Sequence, residues 1–277
     1  MRYSGILLPI SSLPSKYGIG SFSKEAYDFV DFLEKAGQKY WQVLPMGPTG
    51  YGDSPYQSFS TFAGNPYFID LEELIGMGLL SRKECDKVDF GTDAGRVDYE
   101  LLYKSRFTLL RKAYKKSNIA EDKEYKAFVK ENAFWLDNYA LFMTLKGIYK
   151  GKSFMEWKDE HRLRRASAIK QLKEDAKVKD EMGMWMFIQF LFYKQWYKLK
   201  AYANSKGVEI IGDIPIYVAL DSADTWANPE LFLLDEQCNP TVVAGCPPDA
   251  FSADGQYWGN PIYDYEYMKN DGYKYFI

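Results

Sequence analysis

A strand, a helix and a second strand follow one another at the start of this chain, and that order restricts its fold more than any other feature. Ser4–Ile10 is a short apolar run bounded by Gly5 and Pro9, and reads as a buried strand. Ser23 is suited to cap a helix in which Ala26, Phe29, Val30 and Leu33 recur at helical spacing, and Gly37 supplies the stop. Tyr40–Met46 (YWQVLPM) reads as a second buried strand. Strand, helix and strand with short connections predict a βαβ unit, and so a parallel sheet. The pattern returns late in the chain: an apolar helix over Trp185–Ser205, ended by Gly207, precedes a third buried strand, Val208–Val218, with Asp213 near its C-terminal end.

Between these parts the character changes. Leu101–Tyr114 and Phe128–Leu145 carry helical apolar spacing, and Trp157–Lys179 is dense in charge. This predicts a largely helical insertion with solvated outer faces. Three segments follow: 1–70 with the first strands and a cleft loop, 71–184 as the insertion, and 185–277 where the sheet resumes. Three strands do not close a (β/α)8 barrel, which needs eight. The last stretch, Asp264–Ile277, has helix-like spacing interrupted by Gly272 and shows no C-terminal stop, so the chain is expected to end inside an element.

Composition narrows the function classes. The chain has 277 residues, 47% of them hydrophobic, enough for a full core in one large or two smaller domains. Its 35 basic residues against 38 acidic ones argue against a nucleic-acid partner. No apolar run approaches the ~18 residues that cross a bilayer. Pro9 and Pro14 interrupt the N-terminal apolar stretch, unlike a signal peptide. Cys85, Cys238 and Cys246 lack metal-ligand spacing, and their odd number suits reduced thiols in the cytoplasm. Aromatic residues make up 17%, most of which a large aromatic core explains, so that composition only hints at sugar stacking.

Two stretches have the make-up of a site. Gly47–Leu71 follows the second strand, at the strand end where barrel active sites collect. It is either a long packed loop or an aromatic platform for sugars, with Asp53, Ser54 and Gln57 as hydroxyl partners. No Lys follows its glycines, which disfavours a phosphate loop. In Gly212–Tyr263, Asp213 either faces a site at a strand end or satisfies nearby backbone N–H groups. The loop beyond it runs through Pro247, Pro248, Asp249, Phe251, Gln256, Tyr257, Trp258, Gly259 and Asn260, a proline-stiffened segment with an aromatic tip that suits a lid.

The segments GPTGYGDSPYQSFSTFAGNPYFIDL, GDIPIYV and the stretch from PTVVAG through PPDAFSADGQYWGNP resemble the amylomaltase or disproportionating-enzyme family of 4-α-glucanotransferases, glycoside hydrolase family 77. GILLPISSLPSKYGIG, YWQVLPMGP and VDYELLY fit the same family, so the resemblance covers essentially the whole chain. It implies an α/β fold, namely the N-terminal portion of a (β/α)8 TIM barrel with a helical inserted subdomain, the barrel being incomplete in this chain. It also implies a cytoplasmic enzyme without cofactor or metal, acting on α-1,4-glucans and glucose, with no nucleic-acid or membrane partner. By the same resemblance Tyr56 stacks on the sugar at the cleavage point and Asp213 lies at the base of that subsite. Gln256 and Trp258 line the acceptor side, Phe251 and its neighbours, among them Asp249 and Asn260, form the lid, and Tyr51 meets the longer glucan path. Asp53 and Ser54 complete the expected substrate contacts.

Retaining transfer needs two carboxyl groups about 5–5.5 Å apart. In the family the nucleophile lies in an Arg-x-Asp-His motif that this sequence lacks, and its single histidine, His161, sits in the charged insertion as an expected surface residue. Asp213, Asp221, Asp224, Asp235, Asp249 and Asp254 match no catalytic position. The resemblance therefore implies that the nucleophile, the acid/base and the third carboxylate lie beyond Ile277, leaving a chain that binds glucan and is inactive alone. A non-catalytic α-glucan-binding module is the alternative.

Overall fold

The computed structural model describes residues 2–50, 52–91, 93 and 95–277. In chain order its main elements are β1 (Gly5–Leu7), α1 (Lys24–Lys35), β2 (Tyr40–Gln42), α2 (Leu71–Gly76), α3 (Arg82–Asp86), α4 (Tyr99–Lys116), α5 (Lys123–Glu131), α6 (Ala133–Ile148), α7 (Asp159–Arg162), α8 (Ala166–Glu174), α9 (Ala176–Ser205), β3 (Glu209–Ile211), α10 (Ala223–Ala227), β4 (Val243–Cys246), β5 (Gln256–Pro261) and α11 (Tyr265–Asp271). The chain is α/β, as expected. It divides into two compact units, one of Met1–Pro48, Gly64–Ala133 and Met184–Ile214, the other of Thr49–Ala63, Phe134–Gly183 and Pro215–Ile277.

In the first unit β1, β2 and β3 form a parallel sheet in that order, with Ile6, Trp41 and Ile210 in register. Gly37, at φ 69°, closes α1 in the left-handed conformation that a side chain disfavours. Trp41 is fully buried and meets the Phe29 ring of α1 edge-on at 5.1 Å. The other sheet face is open: Leu7 is 53% exposed and Ile211 43%. The expectation of three buried strands is corrected accordingly. Each ladder is three residues long, and only the face that carries helices is covered.

Helix α9 also holds the segment that follows the cleft loop. The buried Gln189 amide bonds both backbone groups of Gly64, and the buried Gln195 amide likewise bonds those of Asp70. Arg106 of α4, fully buried, donates from Nη2 to the Tyr67 and Ile69 carbonyls, the latter at 2.6 Å. Non-repetitive backbone is thus satisfied in the interior by side-chain amides and a guanidinium. Burial lowers the Arg106 pKa to about 10, against the opposing field of Asp70.

In the second unit Phe142, Trp157 and Trp226 pack with ring centroids 5.4–5.8 Å apart, and the Arg164 guanidinium lies 4.2 Å from the Trp226 ring centre. Lys146, near the C-terminal end of α6, donates to the Gly151 and Lys152 carbonyls and to Asp221 Oδ2 at 2.6–2.9 Å. A buried ammonium with three acceptors is fully satisfied. Strands β4 and β5 pair antiparallel with a register shift between Val243 and Gly245, a hairpin that sequence reasoning left as loop.

Three further expectations change. The helix expected over Phe128–Leu145 is split at Asn132 into α5 and α6. His161 is not a solvated surface residue: its side chain is 16% exposed, its Nδ1 lies 2.7 Å from the Tyr149 hydroxyl, and burial lowers its pKa. Finally, α11 does have a stop, because Gly272 takes up φ 76° as its left-handed cap and accepts no strain in doing so.

Candidate functional site

The first cleft segment is a turn closed on itself. Thr49 bridges Ser58, and Gly50 N–H donates to the Gln57 carbonyl at 3.2 Å. Asp53 sits at φ 54° in the left-handed region, which Asp tolerates better than most residues, and its N–H donates to the Gly50 carbonyl. Burial raises the pKa of its half-buried carboxyl. The Ser54 hydroxyl oxygen accepts from Tyr56 N–H at 3.3 Å, so it shapes the backbone beside that ring. Tyr56 is 44% exposed. Tyr51 lies outside the described residues.

The same segment is strapped to its neighbours in the second unit. Gln57 Nε2 donates to Asn260 Oδ1 at 3.3 Å, and Asn260 Nδ2 donates to the Val218 carbonyl at 2.8 Å. Asn260 is buried, with both ends of its amide engaged. Ala223 N–H donates to the Phe59 carbonyl at 2.8 Å, and Thr61 N–H to Asp224 Oδ2 at 3.0 Å.

The hairpin presents the second group. Asp249 Oδ1 accepts from the N–H groups of Phe251 and Ser252, both at 2.8 Å, and its own N–H bonds the Ser252 carbonyl. Such an Asx turn fixes the tip by local bonds alone. It leaves the Phe251 ring 97% exposed. Along β5, Gln256 Oε1 accepts from the indole N–H of Trp258 at 2.9 Å, which orients the ring of a residue that is itself 47% exposed. Tyr257, on the other face of the strand, is exposed as well. The structure therefore joins Ser54, Tyr56 and Gln57 to Asn260 and the strand bearing Gln256 and Trp258. Asp213 follows β3 in the first unit and is half-buried there.

Asp224, which the sequence shows only as a carboxylate matching no catalytic position, has an interior place in the second unit. It is buried, and its carboxylate accepts from Thr61 N–H, the Tyr275 hydroxyl at 3.0 Å and the Ser60 hydroxyl. Burial dominates and raises its pKa to about 6, with those donors pulling the other way. It borders a recess of about 210 Å³ walled by Phe62, Phe134, Trp135 and Tyr275. Ser222 caps the short helix α10 by accepting Thr225 N–H on its hydroxyl, but nothing local marks Asp224 as interior. Among the described residues, no group of three or more His, Cys, Asp or Glu side chains converges as a metal-ligand set, and no helix is long and apolar enough to cross a membrane.

A family model described as 4-alpha-glucanotransferase, of glycoside hydrolase family 77, matches residues 8–277. The whole chain aligns at 51% identity with the 4-alpha-glucanotransferase of Streptococcus pneumoniae, covering 55% of it. It aligns at 48% identity with that of Thermus thermophilus, again covering all of this chain and 55% of the relative. Among solved structures, the amylomaltase from Streptococcus agalactiae in complex with acarbose is similar with a TM-score of 0.93 and 43% identity, over 99% of this chain and 56% of that one. The amylomaltase from Corynebacterium glutamicum, at 17% identity and a TM-score of 0.76, shares the fold over 98% of this chain and 38% of its own. The chain thus spans about half the length of the relatives it matches.

Proposed function

Since the chain belongs to the 4-alpha-glucanotransferase family, glycoside hydrolase family 77, we propose that it forms the glucan-binding wall of an enzyme that moves α-1,4-glucan segments onto glucose or another glucan. The observation that carries this reading is the pair of exposed aromatic residues, Tyr56 and Trp258, on segments joined by the Gln57–Asn260 hydrogen bond. Aromatic faces stack on the apolar C–H faces of sugars, and Tyr and Trp add a polar handle. Held on strapped loops, they lose little entropy when a glucan binds.

In this reading Tyr56 supports the sugar at the cleavage point, with Asp53 as a hydroxyl partner and Tyr51 along the longer glucan path. Gln256 and Trp258 face the acceptor, and Phe251, on the turn that Asp249 organises, closes over the chain. Ser54 and Asn260 act through the loops they brace. The reaction is a retaining double displacement whose nucleophile, acid/base and third carboxylate belong to the remaining length seen in the relatives, so this chain alone binds glucan without turning it over. The open sheet face that carries the exposed Leu7 and Ile211 supports an incomplete (β/α)8 barrel. Three free cysteines are compatible with the cytoplasm, where the reading places the protein.

The test is titration calorimetry of the chain with maltoheptaose, beside glucose release from maltotriose. Binding without glucose release is expected, and Tyr56→Ala and Trp258→Ala should each weaken binding at least about tenfold, the loss of roughly 1.4 kcal/mol of stacking. Glucose release by the chain, or variants that bind as the wild type does, would refute the reading.

A further inference from the structure

The acceptor that gathers the end of the cleft segment is a single carboxylate. Asp224, buried at the start of α10, receives Thr61 N–H on Oδ2 at 3.0 Å, the Tyr275 hydroxyl on Oδ1 at 3.0 Å, and the Ser60 hydroxyl. These are neutral donors from two distant stretches of chain. Ser60 Oγ in turn accepts from Phe62 N–H and Ala63 N–H at 3.2 and 3.3 Å, and Ser58 Oγ donates to the Ser60 carbonyl at 2.7 Å. The Thr61 hydroxyl lies 2.7 Å from the Tyr275 oxygen. With the Tyr275 hydroxyl donating to Asp224, Thr61 is the donor in that last pair. The hydrogen-bonded set therefore runs without a break from the carboxylate through residues 58–63, two residues beyond Tyr56.

We propose that Asp224 is a positioning residue for the glucan-binding segment: its carboxylate sets the turn at Ser60 and Thr61, and through that turn the pose of the Tyr56 ring. The proposal rests on the functional reading above.

An ionised carboxylate binds neutral donors about twice as strongly as a neutral acceptor does. Protonation removes that advantage and also reverses the chain: a protonated Asp224 donates to Tyr275, whose own proton then turns to the Thr61 hydroxyl. Asn at this position reproduces that second arrangement, with its amide N–H₂ donating to Tyr275 and its carbonyl accepting Thr61 N–H. Burial already places the Asp224 titration at about 6, within reach of assay. The other ionisable groups around it are Glu230, Tyr267, Asp271 and Lys274, which line the same recess, and the phenols of Tyr263 and Tyr275, both raised by burial and neutral throughout.

The experiment measures maltoheptaose affinity of the chain by calorimetry from pH 7.5 to 5.0, for wild type, Asp224→Asn and Tyr275→Phe, with circular dichroism confirming the fold of each. Wild-type affinity is expected to fall about fivefold with a midpoint near about 6, the scale of one hydrogen bond's net contribution. Asp224→Asn should be flat with pH and match the acid-side wild type. Tyr275→Phe, which removes a donor to the carboxylate, should move the midpoint upward. A folded Asp224→Asn chain with wild-type affinity and the wild-type pH profile overturns the proposal. If Asp224→Asn fails to fold, an unmoved midpoint in Tyr275→Phe overturns it. Failure of the wild-type chain to bind maltoheptaose at any pH refutes the functional reading itself, and the positioning role with it.

Discussion

Gln189 holds Gly64 by both ends of one amide: its Nε2 donates to the Gly64 carbonyl at 2.9 Å, and its Oε1 accepts Gly64 N–H at 2.7 Å. The partners are 125 residues apart and both buried within the first unit. A side-chain amide here does what a neighbouring strand does in a sheet, and it lets an irregular segment cross the interior. Replacing Gln189 by Leu keeps the volume but leaves a buried N–H and C=O without partners. The expected cost is about 2–4 kcal/mol, from about 1–3 for each orphaned group with partial relaxation. Urea unfolding followed by tryptophan fluorescence measures it, and a loss under about 1 kcal/mol would show that water reaches Gly64.

Gly64 is also required by space. A Cβ at that position would lie 2.1 Å from the Phe192 ring, itself buried in the first unit. Gly64→Ala is expected to destabilise the chain by about 2–3 kcal/mol through overpacking. Adding Phe192→Leu should recover part of that loss, although the same change alone destabilises. Additive losses in the double mutant would contradict the contact.

The buried Asp224 carboxyl predicts a pH signature in stability opposite to its effect on binding. Its folded pKa, about 6, lies above the ordinary value of 3.8. The contribution is therefore fully present below the unfolded pKa and is lost as pH rises through about 6, because the folded chain must then hold a buried charge. Asp224→Asn never carries that charge. The stability of the variant minus that of the wild type, followed by melting temperature, should rise between pH 5 and pH 8 by about 1.4 kcal/mol, nearly all of it before pH 7. A difference that is constant with pH would rule out a raised pKa.

The open sheet face should make the isolated chain associate. Leu7 and Ile211 lie on the side of the sheet away from Trp41, on its outer strands β1 and β3, whose far edges pair with no further strand among the described residues. Exposed apolar strands with unpaired edges template contact with other copies. Light scattering is expected to show concentration-dependent association, reduced in the Leu7→Lys, Ile211→Lys double variant. Both side chains are about half exposed, so this variant should lose little stability. A wild-type chain that stays monomeric at high concentration would count against the open face.

Much of this protein is readable along the chain because the signals are local. The spacing of Ala26, Phe29, Val30 and Leu33 and the glycine at 37 define α1, and the apolar runs around Ile6, Trp41 and Ile210 define a parallel sheet. The motifs from Gly50 to Tyr67 and from Gly212 to Pro261 carry the family resemblance, and the family match over residues 8–277 agrees with it. Gly272 was legible in principle as the αL stop of α11, had the helix before it been given its short length.

What only tertiary structure decided is the fate of the polar side chains. The apolar setting of Gln189 and Gln195 is readable along the chain, but no local signal gives the partners of these residues or of Arg106 and Asp224, since periodicity reports which face of an element is apolar and says nothing of how a polar group is satisfied inside. Their burial depends on partners far along the chain, Gly64, Asp70, Tyr67 and Tyr275, and a desolvated donor or acceptor is tolerated only where the fold brings its complement within bonding distance. The sequence by itself determined the α/β elements and the aromatic loops. The folded chain alone determined how those loops are held, because hydrogen bonding across more than a hundred residues has no local signature.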